Sequence, residues 1–530
     1  MRPSGEIFLL APSLQIEAHR RRLTGLGSLS ILDDEAILHL VLGSGFLVPI
    51  DFARLAQCSK TVAAFALHDD LYRSSLLREF GSDCLQSFRG DWRRTYISRH
   101  GCKVSLIESN TLSSICDGVF SDLLFQSWAC YASSIPRKWW AKTAGSQDTL
   151  PRRSVDSFSM EDFVNSFEIP NLPVVITGCV SSWKAYKEWT FESLRHRYGA
   201  TRFHVAGYDM LLSNYLDYLQ NGACDADQPL YLFDKDFAMK GPDLVSDYDV
   251  PLYFANDLFS LLSKHSFTEE MAIANQNNNN NNNNDVSRST QSKEPISIQE
   301  VCRPDHRWLI IGPEKSGSVF HKDPNGTSAW NACIRGKKKW ILFPPHIPPP
   351  GVFPSKDGGA VETPVSVMEW FFNFYKRAQS LMHQSGQEKG GKGTKNEQIK
   401  EEEGMRMMPM EGVVNEGELI YVPRGWWHCV LNLEDSIALT HNFCSARGLP
   451  EVLKCLQESP HTISGVPEAQ SSLLYDAFRE RLIKHEPGLL EQVERKDEAG
   501  RKRAAESTKI NFHEKVDKKE SDFVLSSLWE

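Results

Sequence analysis

At 530 residues the chain has room for two or three domains. Its formal net charge of −9 argues against a protein that coats nucleic acid by bulk electrostatics, and no apolar run reaches the roughly 18 residues of a membrane span. The 12 cysteines include no CxxC pair, so neither a zinc ribbon nor a dithiol redox site is signalled, and a reducing compartment is expected.

The apolar Ile7-Phe8-Leu9-Leu10 is broken by Pro12 and followed, not preceded, by Arg20-Arg21-Arg22, the wrong order for a secretory signal. Residues 1–27 are expected to be a loose N-terminus. Over 28–80 apolar residues recur at helical spacing: Ile31, Ile37, Leu38, Val41 and Leu42, then Phe52, Leu55 and Ala56, then Leu71, Leu76 and Leu77. Asp33 and Asp34 suit the first turn of a helix, and Pro49 separates that helix from the next. Residues 81–153 read as a connector whose Trp128, Tyr131, Trp139 and Trp140 suggest packing on something larger.

A second regime spans 154–450. A helical Met160-Glu161-Asp162-Phe163 precedes the β-rich Pro173–Gly178, and strand signals continue to about Cys444. Two polar low-complexity inserts, about 275–297 around an asparagine run and about 384–407 rich in Gly, Lys and Glu, are expected to be surface loops. Residues 451–530 alternate charge with leucine and read as helices ending in a charged tail, where Arg501-Lys502-Arg503 is a weak nuclear address.

The strongest local feature is Val319-Phe320-His321-Lys322-Asp323-Pro324. Period-two alternation would put His321 and Asp323 on one face of a strand, where both can meet a metal. Alone, an HxD pair is a weak signal. A third ligand is offered by His428, where the strand Glu418–Val422 runs through Pro423-Arg424-Gly425 into Trp426-Trp427-His428. Two imidazoles and a carboxylate leave coordination positions open, the arrangement of non-haem Fe(II) oxygenases. A hairpin follows the HxD, with Gly336 between two strands. Alternation along it gives Lys338 and Trp340 one face and turns Lys337 and Lys339 the other way. Trp426 and Trp427 are read as packing groups, and His346 and His441 receive no chemical role.

This passage resembles the jumonji-C (JmjC) oxygenases, in particular the subgroup of the bifunctional arginine demethylase and lysyl-hydroxylase once called the phosphatidylserine receptor. The segment from Pro423 to Leu433 and Thr440-His441-Asn442-Phe443 are similar to the subgroup's distal motif. Pro229–Asp234, Pro251–Phe254 and Trp308–Pro313 resemble its segments ahead of the HxD. The resemblance implies an α+β chain built on a double-stranded β-helix (jelly-roll, cupin-like) domain with flanking helices. It implies iron held by His321, Asp323 and His428, with 2-oxoglutarate as co-substrate and O₂ as oxidant. It places Lys338 against the distal carboxylate of 2-oxoglutarate, with Asn331, Tyr231 and Thr440 helping to hold it. Ser318 stands where the family has a threonine, which keeps the hydroxyl.

Hydroxylating an N-methyl group gives a hemiaminal that loses formaldehyde, whereas hydroxylating a lysine carbon gives a stable alcohol. The resemblance favours histone arginine demethylation, then protein lysyl hydroxylation, and with them a nuclear location. Residues 28–80, through Ile31–Leu40, Phe52–Lys60 and Asp70–Tyr72, resemble an F-box, a small all-α domain. That implies binding to a Skp1-type adaptor of a cullin ubiquitin ligase, an arrangement seen with JmjC domains in plant arginine-specific histone demethylases.

Overall fold

The computed structural model describes residues 2–5, 12–100, 115–124, 148–223, 228–262, 298–355, 360–364, 366–384 and 408–495. Trp128, Tyr131, Trp139 and Trp140, residues 275–297 and 385–407, and Arg501-Lys502-Arg503 lie outside them. The chain divides into two compact units, one of Met1–Ala255, His306–Asp323 and Thr327–Asn442, the other of Asn256–Asp305, Pro324–Gly326 and Phe443–Glu530.

In the first unit, β1 (Arg2–Gly5) pairs in parallel with β2 (Ile115–Phe120). The remaining strands are β3 (Arg152–Ser154), β4 (Val174–Thr177), β5 (Arg202–Val205), β6 (Tyr208–Leu211), β7 (Leu232–Asp234), β8 (Arg307–Gly312), β9 (Gly317–His321), β10 (Ser328–Arg335), β11 (Lys337–Phe343), β12 (Phe353–Pro354), β13 (Val361–Glu362), β14 (Met410–Asn415), β15 (Glu418–Val422), β16 (Trp427–Asn432) and β17 (Ser436–Phe443). A nine-stranded sheet runs β3-β4-β15-β10-β17-β8-β7-β5-β6, and a four-stranded sheet runs β14-β11-β16-β9. Their inner faces share one core, in which Val175, Cys333 and Ile420 of the first sheet meet Trp340, Leu342 and Val430 of the second. This is the expected cupin-like jelly roll.

Helix Val367–Gln384 covers the outside of the smaller sheet. Its Met368, Phe371, Tyr375 and Ala378, spaced three or four apart, meet Phe320, Ile341, Phe343 and Trp427. Beneath it Lys339 and Glu411, both almost wholly buried, form an ion pair at 2.8 Å, and Tyr375 donates to the same carboxylate at 2.7 Å. Alternation thus sends Lys339 away from Lys338, as read, but into the interior.

The N-terminal helices are α1 (Pro12–Leu26), a helix over Ala36–Leu42, α2 (Pro49–Leu55), α3 (Lys60–Ala66), α4 (Asp69–Phe80) and α5 (Trp92–Arg99). The loose N-terminus expected over 1–27 is corrected by α1, whose Ala18 and Leu26 are buried. Asp33 accepts the Ala36 N–H at the start of its helix, and Pro49 opens α2 where its missing N–H costs nothing. Ile37, Leu38, Leu42 and Phe52 enter the core, but Ile31 is 88% exposed, against expectation.

The second unit has its own core, built by helices Leu449–Glu458 and Leu474–His485 together with Phe259, Leu262 and Val301. Among the described residues no helix is long and apolar enough to cross a membrane.

Candidate metal centre

Strand register makes the site. β16 pairs antiparallel with β9, so His428 lies directly opposite His321, with ring centroids 4.2 Å apart. Between that pair and the next, Val430 opposite Ser318, β9 carries one extra residue. Such a bulge shifts the inside–outside alternation by one, so Ser318 and His321 both face inward although three positions separate them. The close approach depends on Gly317, since a Cβ there would sit 1.9 Å from the Val430 carbonyl oxygen.

β9 ends at His321, and Asp323 follows in the connection to the turn Pro324–Gly326. The period-two argument for Asp323 is therefore corrected: its carboxylate turns inward because Asn442 on β17 donates to Oδ1 at 3.2 Å, while the same amide donates to Thr327 at 3.0 Å. One ligand atom each from His321, Asp323 and His428 lie within 4.8 Å of one another.

The imidazoles are prepared alike. Nδ1 of His321 donates to the Val319 carbonyl at 2.8 Å, and Nδ1 of His428 donates to the Trp426 carbonyl at 3.1 Å. A carbonyl can only accept, so Nδ1 carries the proton and Nε2 is left as a bare lone pair. Asp323 Oδ2 is buried without a hydrogen-bond partner among the described residues. Burial holds the Asp323 carboxyl above the usual range and pushes His428 well below the usual imidazole value. Two nitrogens and one orphaned carboxylate oxygen, in a pocket that resists charge, fit a divalent cation with open positions.

On the same sheet, opposite Asn432 of β16, Lys338 is 1% exposed. Its ammonium donates to Asn432 Oδ1 at 2.8 Å and lies 5.9 Å from the Tyr231 ring centre. The Tyr231 hydroxyl bonds Ser318 and Asn432, and the Asn432 amide donates to Ser316 at 2.8 Å. Among the described residues no carboxylate acts on Lys338, and burial pulls its pKa down to about 8. A buried ammonium with polar neighbours could hold a carboxylate, which would supply its counter-charge. Asn331 is buried with Oδ1 unpartnered. Thr440 donates its hydroxyl to the Trp330 carbonyl at 2.9 Å, which leaves only its lone pairs for a ligand.

Other side chains have packing roles. Trp426 is fully buried and donates to the Asn171 carbonyl at 2.7 Å, and His441 stacks on Trp330 and pairs with the Tyr248 hydroxyl at 2.9 Å. Sequence reading missed Asn442 and Asn432. The signal was present, because Asn432 keeps the inward parity of His428 and Val430, and Asn442 that of Thr440.

The cupin-like domain family matches residues 160–447. Arginine-specific demethylase JMJ22 of Arabidopsis thaliana is 36% identical over 514 residues, covering 97% of this chain and 86% of that protein. The bifunctional arginine demethylase and lysyl-hydroxylase psr-1 of Caenorhabditis elegans is 31% identical over 355 residues, 66% of this chain and 71% of its own length. The 2-oxoglutarate and iron-dependent oxygenase JMJD4 of Mus musculus is 25% identical over 330 residues, 57% of this chain and 62% of its own.

Proposed function

We propose, from the premise that this chain belongs to the JmjC oxygenases of the cupin-like family, that it hydroxylates protein side chains with Fe(II), 2-oxoglutarate and O₂. The observation that carries the proposal is the meeting of two bare imidazole nitrogens and a carboxylate, together with a buried lysine on the same sheet as the imidazoles on which, among the described residues, no carboxylate acts. His321, Asp323 and His428 would hold the iron. Lys338 would pair with the distal carboxylate of 2-oxoglutarate, with Tyr231, Asn331, Thr440 and Ser318 around it. Iron and 2-oxoglutarate, when bound, supply the oxidation of a C–H bond by O₂, with succinate and CO₂ leaving.

The protein's part is positioning. The Val319 and Trp426 carbonyls fix the imidazole rings, and Asn442 fixes the carboxylate. Trp340, stacked on His428 at 6.0 Å, backs that ring with the apolar core between the two sheets. On the substrate, similarity to JMJ22 along nearly the whole chain favours N-methyl groups of arginine in a basic tail such as a histone's. The psr-1 similarity makes lysyl hydroxylation the second outcome of the same site. The test is incubation of the purified full chain with Fe(II), 2-oxoglutarate and methylarginine or lysine peptides. Succinate with loss of a methyl group supports demethylation, and succinate with gain of one oxygen supports hydroxylation. No succinate with any peptide sinks the proposal.

A second activity, substrate delivery to a cullin ligase through an F-box, is supported by Leu40, Phe46 and Ile50, which are 74%, 90% and 58% exposed on the N-terminal helical region. Apolar side chains held in water suit a docking face for a Skp1-type adaptor. Leu38 and Leu42 are core residues and do not report on it. Co-purification with the adaptor, lost in Leu40→Glu and Phe46→Glu, is the expected result, and recovery unaffected by both changes would dismiss this role.

A further inference from the structure

Helix Leu212–Gln220 lies outside the metal site, yet two of its tyrosines grip the backbone on either side of Tyr231. The Tyr215 hydroxyl sits 2.8 Å from the Ile311 carbonyl and 3.0 Å from the Leu230 carbonyl, and it accepts the Leu232 N–H at 3.3 Å. Almost one turn further on, the Tyr218 hydroxyl accepts the Leu230 N–H at 3.0 Å. Residues 230 and 232 are thereby held on both flanks of Tyr231. From the opposite side, the Tyr231 ring packs so closely on Gly312 that a Cβ there would lie 2.5 Å from two ring carbons. The ring faces the Lys338 ammonium, and its hydroxyl joins Ser318 and Asn432.

The helix is itself held by residues N-terminal to the jelly roll. Asn214, 1% exposed, donates to Ser82 Oγ at 3.1 Å and Asp83 Oδ1 at 2.9 Å, and accepts from Gln86 Nε2 at 2.8 Å. Trp92 stacks on Tyr218 with centroids 5.8 Å apart, and Phe88 meets Tyr218 edge-on at 4.7 Å. The contacts run unbroken from Gln86 and Trp92, through Asn214 and Tyr218, to the backbone that aims Tyr231.

We propose that Tyr215 and Tyr218 are positioning residues for the 2-oxoglutarate pocket, and that the segment Ser82–Trp92 sets co-substrate affinity through the helix that carries them. This rests on the oxygenase reading. It adds that the N-terminal region is part of the catalytic machinery and would pass a disturbance there to the co-substrate before the metal.

The experiment measures 2-oxoglutarate binding by calorimetry to the full chain loaded with Mn(II) in place of iron, which gives affinity without turnover. Tyr215→Phe is expected to weaken binding about tenfold, because buried backbone groups lose their partner, and Gln86→Ala, an exposed change that spares the core, about threefold. Mn(II) affinity stays unchanged in both, and KM for 2-oxoglutarate rises while kcat holds within about twofold. Tyr253→Phe, which removes a hydroxyl donating to the Phe158 carbonyl, serves as the control and leaves binding unchanged. If wild type does not bind 2-oxoglutarate, the oxygenase reading fails. If wild type binds and Tyr215→Phe binds equally well, the positioning role is overturned. A parallel loss of metal and co-substrate affinity, accompanied by a lower melting temperature, overturns it in favour of general destabilisation.

Discussion

Lys337, Lys338 and Lys339 are consecutive in sequence and meet three different environments. Lys337 is half exposed and pairs with Glu434 at 2.7 Å, a contact worth little in water. Lys339 is buried with its counter-ion Glu411, and Lys338 is buried with none among the described residues. The two buried lysines should therefore answer the same substitution with opposite signs. Lys339→Met leaves the Glu411 carboxylate buried and unpaired and should cost about 3–5 kcal/mol in urea unfolding. Lys338→Met removes a charge whose pKa has fallen from 10.5 to about 8, a penalty on the order of 3 kcal/mol. It should raise apo stability by about 1–3 kcal/mol while abolishing 2-oxoglutarate binding. The same shift fixes the pH behaviour. Between about pH 8 and 10.5 the unfolded chain binds the Lys338 proton and the folded apo chain does not, so this group's contribution to stability rises with pH across that window and is least favourable below it. A carboxylate ligand needs the protonated lysine, so 2-oxoglutarate affinity should hold below about pH 8 and fall toward tenfold per unit above it. Burial pushes the neighbouring Tyr231 and Cys333 upward, the thiol to about 12, so in the folded chain neither titrates across most of that window, whereas in the unfolded chain both lose protons there and their own contributions to stability fall as pH rises. Calorimetry at several pH values would reveal the fall in affinity, and the difference in unfolding stability between apo wild type and Lys338→Met, in which the other titrating groups cancel, would reveal the opposite slope.

The pairing of β9 with β16 is the element on which the metal centre depends. Gly317→Ala would drive a methyl group into the Val430 carbonyl and prise the strands apart. It should cost about 1–3 kcal/mol in stability and also lower Co(II) affinity, because the two imidazoles no longer stay opposite one another. Asn442→Ala leaves both strands intact but frees the Asp323 carboxylate. A metal titration should then show affinity about 10–100-fold weaker with the melting temperature little changed. These two variants separate strand spacing from ligand orientation. They also mark where sequence reading reached its limit. His321 and His428 were legible because each closes or opens a strand beside a Pro- or Gly-containing turn, and Lys338 because alternation along a hairpin assigns faces. Asp323 joins the two imidazoles for a reason other than strand alternation, since it stands beyond the strand and owes its aim to a β17 side chain distant in sequence. The bulge in β9 could not be read either, because an extra residue in one strand is defined only against its partner. Asn432 and Asn442 drew no notice because strand parity marks only which way they face, and an asparagine's role is not defined until its partner is known. α1 was missed because its apolar residues are sparse, with only Ala18 and Leu26 buried.

At the scale of the whole molecule, the boundaries of the family match and the boundaries of folding differ. The match stops at residue 447, yet Phe259, Leu262 and Val301, which lie within its span, are buried against Leu453, Leu474 and Phe478, which lie beyond it. Phe478 is fully buried and its ring centre is 4.7 Å from that of Phe259. At the other end the match begins at residue 160, whereas Asn214 and Tyr218 complete their contacts with Ser82–Trp92. A fragment cut to 160–447 would expose both sets of apolar and polar partners at once. Truncating Phe478 alone to alanine should cost about 3–5 kcal/mol, and removing the whole helix Leu474–His485 exposes several such side chains together, more than the 5–15 kcal/mol of a typical domain can absorb. The 160–447 fragment should therefore be recovered as aggregate, whereas 12–495 should be soluble and show one set of cooperative transitions shared with the full chain. Expression of both pieces, followed by size exclusion and thermal melting, decides the matter: a monodisperse 160–447 fragment with sharp melting would mean that the flanking helices are accessories, not part of the folding unit.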